Sequence, residues 1–185
     1  MPTEWTVRAI TRASLPVLLA LTLVEVGSGL VLGRFEATLL RYPSLLVLVP
    51  VTIGTAGNLG SVLASRLSTA FHLGLLSFDP TDETLLGNAV ATVGLAATTF
   101  PVVGAGAWAL TALLGATRLP LRDVLVVAVT AGLALAALAV VVALGATYAA
   151  YRFELDPDDV VIPVVTNVCD VLGVVVLFVA VRLFV

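Results

Sequence analysis

Asp170 stands midway along VVIPVVTNVCDVLGVVVLFVAVRL, an apolar run covering residues 160–183. A charged aspartate at such a place is disfavoured by about 2.5–3.5 kcal/mol on insertion scales, and such residues face a bundle interior or a water-filled path. On a helix, Thr166 four residues earlier, Asn167 three earlier and Gly173 three later share its face. The stripe offers oxygen ligands, which suit a hard cation. Mg2+ in particular dehydrates reluctantly and is held through its water shell by one or two carboxylates with carbonyl or amide oxygens. The alternative is a protonated Asp170, or one hydrogen-bonded to a neighbouring helix.

A second constellation is VPVTIGTAGNLGSVLASRLSTA, residues 49–70. Gly54, Gly57 and Gly60, with Thr52, Thr55, Asn58 and Ser61, interrupt the middle of an apolar segment. Small residues allow close backbone approach, and a helix loosened there would free carbonyls that must line a cavity or be buried in protein. Asn58 then lines the path, or bridges neighbouring helices in a packing seam. Glu25, in LTLVEVGSGLVLG, is another acid in an apolar run. It is a candidate second ligand or proton-coupling group; pairing with an Arg near a helix end, or a neutral hydrogen-bonded state, is the plainer reading. Asn88, Thr92, Thr98, Thr99 and Pro101 read as packing and kink positions.

Other chemistries fit poorly. The glycine-rich segment is not a phosphate loop, because no GK[ST] follows it. The lone His72 sits near a helix end, and one His with one Cys, Cys169, makes no transition-metal site. An intramembrane aspartyl enzyme would need Glu25 and Asp170 as an unfamiliar acid pair, and His72 is badly placed to activate Ser28. The chain is therefore expected not to be an enzyme.

These residues need elements to hold them, and the composition says which. Of 185 residues, 60% are hydrophobic and 11% charged, against about a quarter charged in soluble domains; mean hydropathy is +1.15. This predicts an all-α integral membrane protein. About 20 apolar residues cross a bilayer, and the gaps between charges yield five spans, at 13–33, 42–65, 84–114, 124–151 and 160–182. They form a single transmembrane domain over residues 1–185, joined by short linkers rich in Pro, Gly and Asp. The first run is too long for a signal peptide and is followed by others.

An odd number of spans places the termini on opposite sides, but Arg bias does not choose between them. Arg8, Arg12, Arg66 and Arg152 fall with the N-terminus, and Arg34, Arg41, Arg118, Arg122 and Arg182 on the other side. The acids are less even: Asp79, Asp82, Glu83, Glu154, Asp156, Asp158 and Asp159 all fall in two loops on the N-terminal side. Such a face attracts cations, although helix N-termini favour Asp and Glu in any case. All nine basic residues are Arg, against twelve acids, a balance that argues against nucleic-acid partners. Five spans without internal symmetry rarely enclose a pathway alone, so assembly in the bilayer is expected.

Residues 49–70 and 156–178 resemble the membrane domain of the MgtE family of magnesium channels and transporters, to which the animal solute carrier family 41 is related. The resemblance is carried by GRFEATLLRYPSLLVLVP leading into GTAGNLGSVLASRLSTA, and by the late DPDDVVIPVVTNVCDVLG; order and spacing match along essentially the whole chain. It implies a five-helix unit that pairs with a second unit, the Mg2+ path running along the dimer interface. It also implies that Asp170 holds the hydrated ion, that a backbone carbonyl one turn earlier maps onto Thr166, and that the motif asparagine maps onto Asn58. Asn167 is a further candidate metal ligand, and Gly57, Gly173 and Glu25 are the pore or coupling candidates. The N-terminus would face the cytoplasm of a cell-membrane protein. The family's bacterial members carry a large N-terminal cytosolic magnesium sensor; with a first span starting at residue 13, this chain is expected to lack it. The animal carriers hold two such units in one chain, so a homodimer, or a heterodimer with a sister half-unit, is expected here. The rival from another class is a non-conducting assembly subunit of a heteromeric transporter, its polar stripes serving only to bind helices together.

Overall fold

A computed structural model describes residues 6–76 and 82–185 of the chain. Six helices follow one another: α1 (Val7–Gly33), α2 (Glu36–Arg41), α3 (Pro43–His72), α4 (Glu83–Leu113), α5 (Leu121–Arg152) and α6 (Pro157–Phe184). All except α2 are long and apolar enough to cross a membrane. A helix satisfies its own backbone groups, which is what lipid demands of a spanning segment. The described residues hold no strand.

The ends are written in local chemistry. Asp82 caps α4 by accepting from the amides of Thr84 and Leu85 at 2.7 and 3.3 Å, and Asp156 caps α6 by accepting from Asp158 at 3.0 Å. Pro43 and Pro157 open α3 and α6, where a missing N–H has no consequence. At the other ends, α3, α4 and α5 close with one motif. In α3, Leu75 donates to Ala70 O and Gly74 to Phe71 O; in α4, Ala116 donates to Thr111 O and Gly115 to Ala112 O. Gly74 and Gly115 adopt φ of +66° and +65°, as this turn requires. In α5 the same position is filled by Glu154, at φ 56°.

Helices α3 to α6 form the bundle, and α6 is its hub, packed against α1, α3 and α5. Contacts between α3 and α6 run antiparallel: Gly173 meets Ile53, Thr166 meets Ser61 and Asp158 meets Ser68. One apolar cluster gathers Leu45, Leu48, Val124, Leu177 and Phe178; a second gathers Leu63, Leu67, Phe100, Leu135 and Val165. Between them along α3 and α6 lies a band of polar and small residues at mid-membrane. Helix α1 packs on α6 and leaves most of its apolar surface bare.

Two expectations need correction. The linker read between the first two spans contains the short helix α2, held at its start where the Phe35 ring stacks on Phe178 at 3.7 Å and the Arg182 guanidinium lies 5.6 Å from the ring centre. Helix α3 is not loosened at its glycines; it runs unbroken from Pro43 through Arg66 to His72. Charges mark where hydrocarbon ends, whereas a helix stops at its capping signal, here Gly74.

Candidate functional site

The middle of α3 falls at Gly57 and Asn58, and the middle of α6 at Asp170 and Val171. Gly57 is the reason these two helices can bring polar groups together. A Cβ built on it would lie 3.5 Å from Thr166 Cγ2 and 3.7 Å from Asp170 Oδ1, so only the missing side chain leaves α3 backbone open towards the carboxylate. One turn on, a Cβ at Gly60 would come within 2.5 Å of Val165 Cγ1. One turn back, Gly173 of α6 lies against Ile53, where a Cβ would meet Ile53 Cγ1 at 3.0 Å. Glycine thus sets the α3–α6 approach on both helices.

Hydroxyl groups occupy the same seam. Ser61 Oγ and Thr166 Oγ1 lie 3.0 Å apart, Ser61 Oγ is 2.9 Å from Gly57 O, and Thr166 Oγ1 is 2.9 Å from Ile162 O. Two hydroxyls carry two hydrogens, so they cannot fill all three contacts at once. One of the oxygen acceptors in the seam is always left with spare capacity. Two more polar atoms in the band, Asn167 Oδ1 and Thr52 Oγ1, are buried without a hydrogen-bond partner. Such groups are rare in native interiors and call for a donor.

Asp170 itself is partly buried. Among the described residues, no protein donor hydrogen-bonds to its carboxylate and no cationic side chain lies within ion-pair distance; the ion pair found there joins His72 to Asp156. The plainer reading, Asp170 hydrogen-bonded to a neighbouring helix, is therefore not realised in the protomer. Glu25 does not pair with an Arg either. It sits partly buried on α1, whose partner helix is α6. Two acids thus stand on helices that pack together, and among the described residues neither pairs with a cationic side chain.

The predicted residues fall into three groups. Thr166 and Asp170 both face Gly57, with Gly173 one turn away and the buried Asn167 Oδ1 on the same helix. Glu25 joins through α1. Asn58 does not reach this group: it is exposed on α3 at mid-span, and among the described residues it hydrogen-bonds to no other helix. Thr92, Thr98 and Thr99 bond to carbonyls of their own helix; Thr92 is buried, whereas Thr98 is exposed. Among the loop acids, Asp79 lies outside the described residues.

Sequence reasoning missed Ser61 as the partner of Thr166. Its place one turn after Gly57 was the available signal. It also missed the surroundings of His72, whose Nε2 is 3.8 Å from Asp156 Oδ1 and whose Nδ1 is 2.9 Å from Ser68 O. Ser68 Oγ donates to Asp158 Oδ1 at 2.6 Å. One ligand atom from each of His72, Asp156 and Asp158 falls within 4.8 Å of the others, at the exposed end of the bundle. The distance along the chain between His72 and the acids hid this group.

Comparison with known proteins identifies a family. A family model described as MgtE, divalent cation transporter, matches residues 49–180, the stretch that contains both α3 and α6 site segments. No curated protein and no solved structure matches the chain.

Proposed function

Since the chain belongs to the MgtE family of divalent cation transporters, we propose that it moves Mg2+ across the cell membrane, with Asp170 binding the hydrated ion at mid-depth. The observation that carries this reading is the state of Asp170: a mid-span carboxylate facing a glycine gap, with no protein cation or donor to stabilise it among the described residues. A divalent ion with its water shell supplies both the positive charge and the donors. The spare acceptors in the Ser61–Thr166–Gly57 contacts and the unpartnered Asn167 Oδ1 would take hydrogen bonds from ion-bound waters. Mg2+ keeps most of its inner water, so selectivity follows from cavity size and geometry rather than from stripping the ion.

Two copies of the chain, or this chain and a sister half-unit, bring two such carboxylates to one axis. Asn58, polar and exposed at the centre of α3, lines the path at that interface. A polar side chain there is otherwise unfavourable against lipid. Glu25 adds a further carboxylate and is the candidate for coupling to protons. The N-terminus is placed in the cytoplasm, which makes the acidic end of the bundle the cytoplasmic mouth.

Reconstitution of the purified chain alone into liposomes tests this. Mg2+ influx is expected from the wild type, and none from a folded Asp170→Asn protein. Wild-type influx from that variant would refute the role of Asp170, and absence of influx from the wild type alone would favour a non-conducting subunit. Repeating the assay with Mn2+, Co2+ and Ca2+, with and without a pH gradient, and on Glu25→Gln, reports preference and coupling.

A further inference from the structure

Where α3 ends and α6 begins, the fold gives the chain's single histidine the metal-binding partners that its sequence neighbours do not supply. His72 closes α3, Asp156 caps α6, and Asp158 lies in the first turn of α6. His72 stands about 22 Å along α3 from its mid-point, and Asp158 about 19 Å along α6 from its own. Half of the hydrocarbon thickness is about 15 Å. All three side chains therefore lie on the water side of the bilayer core, well away from Asp170 at the middle of α6.

The hydrogens around His72 can be counted. Nδ1 lies 2.9 Å from Ser68 O, and a carbonyl oxygen only accepts, so Nδ1 carries the hydrogen. Ser68 Oγ cannot supply one to Nδ1 instead, because its single hydrogen goes to Asp158 Oδ1 at 2.6 Å. In a neutral imidazole this leaves Nε2 as a lone pair, and it lies 3.8 Å from Asp156 Oδ1. That separation is too long for a hydrogen bond. Metal-binding histidines are arranged in this way, the second ring nitrogen donating to a carbonyl while the first is left for the ion. The carboxylates are positioned as well. Asp156 Oδ1 is held by the cap bond from Asp158 N at 3.0 Å, and Asp158 is held by Ser68. Among the described residues neither aspartate pairs with an arginine. The three ligand atoms lie within 4.8 Å of one another. Ligands of one ion, each at about 2.0–2.2 Å, stand up to about 4.4 Å apart, so a small rotation of these exposed side chains closes the set.

We propose that His72 Nε2, Asp156 and Asp158 bind a divalent transition-metal ion, Zn2+ ahead of Mn2+, with water completing its shell. The imidazole nitrogen selects against Mg2+, which takes oxygen ligands, and Zn2+ outranks Mn2+ at a site of this kind. The ion ties the end of α3 to the start of α6. Because His72 is the chain's single histidine, the untagged protein in detergent offers one imidazole to follow by NMR. Zn2+ should shift its ring resonances, and Mg2+ at the same concentration should leave them in place. His72→Gln and Asp158→Asn should each weaken Zn2+ binding by at least about tenfold, since losing even an outer partner of a metal ligand has an effect of that size. Asp170→Asn should bind Zn2+ as the wild type does, which keeps this site distinct from the proposed ion path. An imidazole unshifted in excess Zn2+, an equal shift with Mg2+, or undiminished Zn2+ binding by either His72→Gln or Asp158→Asn would each overturn the assignment, and loss of Zn2+ binding by folded Asp170→Asn would do so by placing the ion at Asp170. Should a variant fail to fold, the resonances of the wild type decide the matter without it.

Discussion

Gly57 and Gly60 lie one turn apart on the same helix, face the same partner helix, and should respond to the same substitution in opposite ways. In Gly57→Ala the new methyl finds Thr166 Cγ2 at 3.5 Å and Asp170 Oδ1 at 3.7 Å, ordinary contact distances that need no movement. In Gly60→Ala it finds Val165 Cγ1 at 2.5 Å, with Ala139 Cβ at 3.4 Å behind it. Relief requires roughly 1 Å of displacement to reach a normal carbon–carbon separation. Val165 cannot rotate away cheaply, because a β-branched side chain has one strongly preferred rotamer in a helix. The helices must therefore separate, and overpacking of this kind costs about 1–3 kcal/mol. The difference in helix propensity between glycine and alanine is common to both variants, so it cancels when they are compared. Gly60→Ala should thus be less stable than Gly57→Ala by about 1–3 kcal/mol in equilibrium unfolding from detergent micelles. Activity should part from stability: Gly57→Ala stays folded but loses cation flux in liposomes, because a methyl now covers the carboxylate. Equal stability of the two variants would refute the packing argument, and full flux from Gly57→Ala would refute the idea that the glycine gap serves the ion.

Two further predictions concern single features of the fold. The Ser61–Thr166 hydrogen bond should appear as a coupling of about 0.5–1.5 kcal/mol in a double-mutant cycle of Ser61→Ala and Thr166→Val, read by the same unfolding assay; a coupling near zero would mean that the two hydroxyls act independently. Glu154→Gly should stabilise the protein by up to about 1 kcal/mol, because it removes a side chain from a left-handed position that Gly74 and Gly115 occupy at the ends of α3 and α4. An unchanged or lower unfolding temperature would show that Glu154 has an offsetting role.

The number of spanning helices and their approximate places were legible in the residues themselves. In lipid the hydrocarbon thickness sets the length of a span, and charges cannot sit in the middle without cause, so charge-free gaps of about 20 residues identify the helices. The same reasoning isolated Asp170 and Glu25, since an acid in an apolar run stands out whatever the fold. Motif order carried the family. Gly-Asn-x-Gly in α3 and Thr-Asn-x-x-Asp-x-x-Gly in α6 are local patterns, readable before anything is known of how the helices meet.

What the chain could not disclose in one dimension is which faces meet. Helical periodicity put Thr166, Asn167, Asp170 and Gly173 on one stripe, but the antiparallel register of α3 on α6 decides that Gly57 faces Asp170, that Ser61 takes Thr166, and that Asn58 is turned outward. The continuity of α3 was likewise a tertiary outcome: its glycines suggested loosening, yet close packing against Val165 and Ala139 uses them while the backbone ladder stays whole. The meeting of His72 with Asp156 and Asp158, and the contact of Arg66 with Asn88, also exist only once α3, α4 and α6 are side by side. Hydrophobic periodicity and charge are properties of a segment, whereas a site is a property of distances between segments, and those distances are set by how closely glycine lets two helices approach.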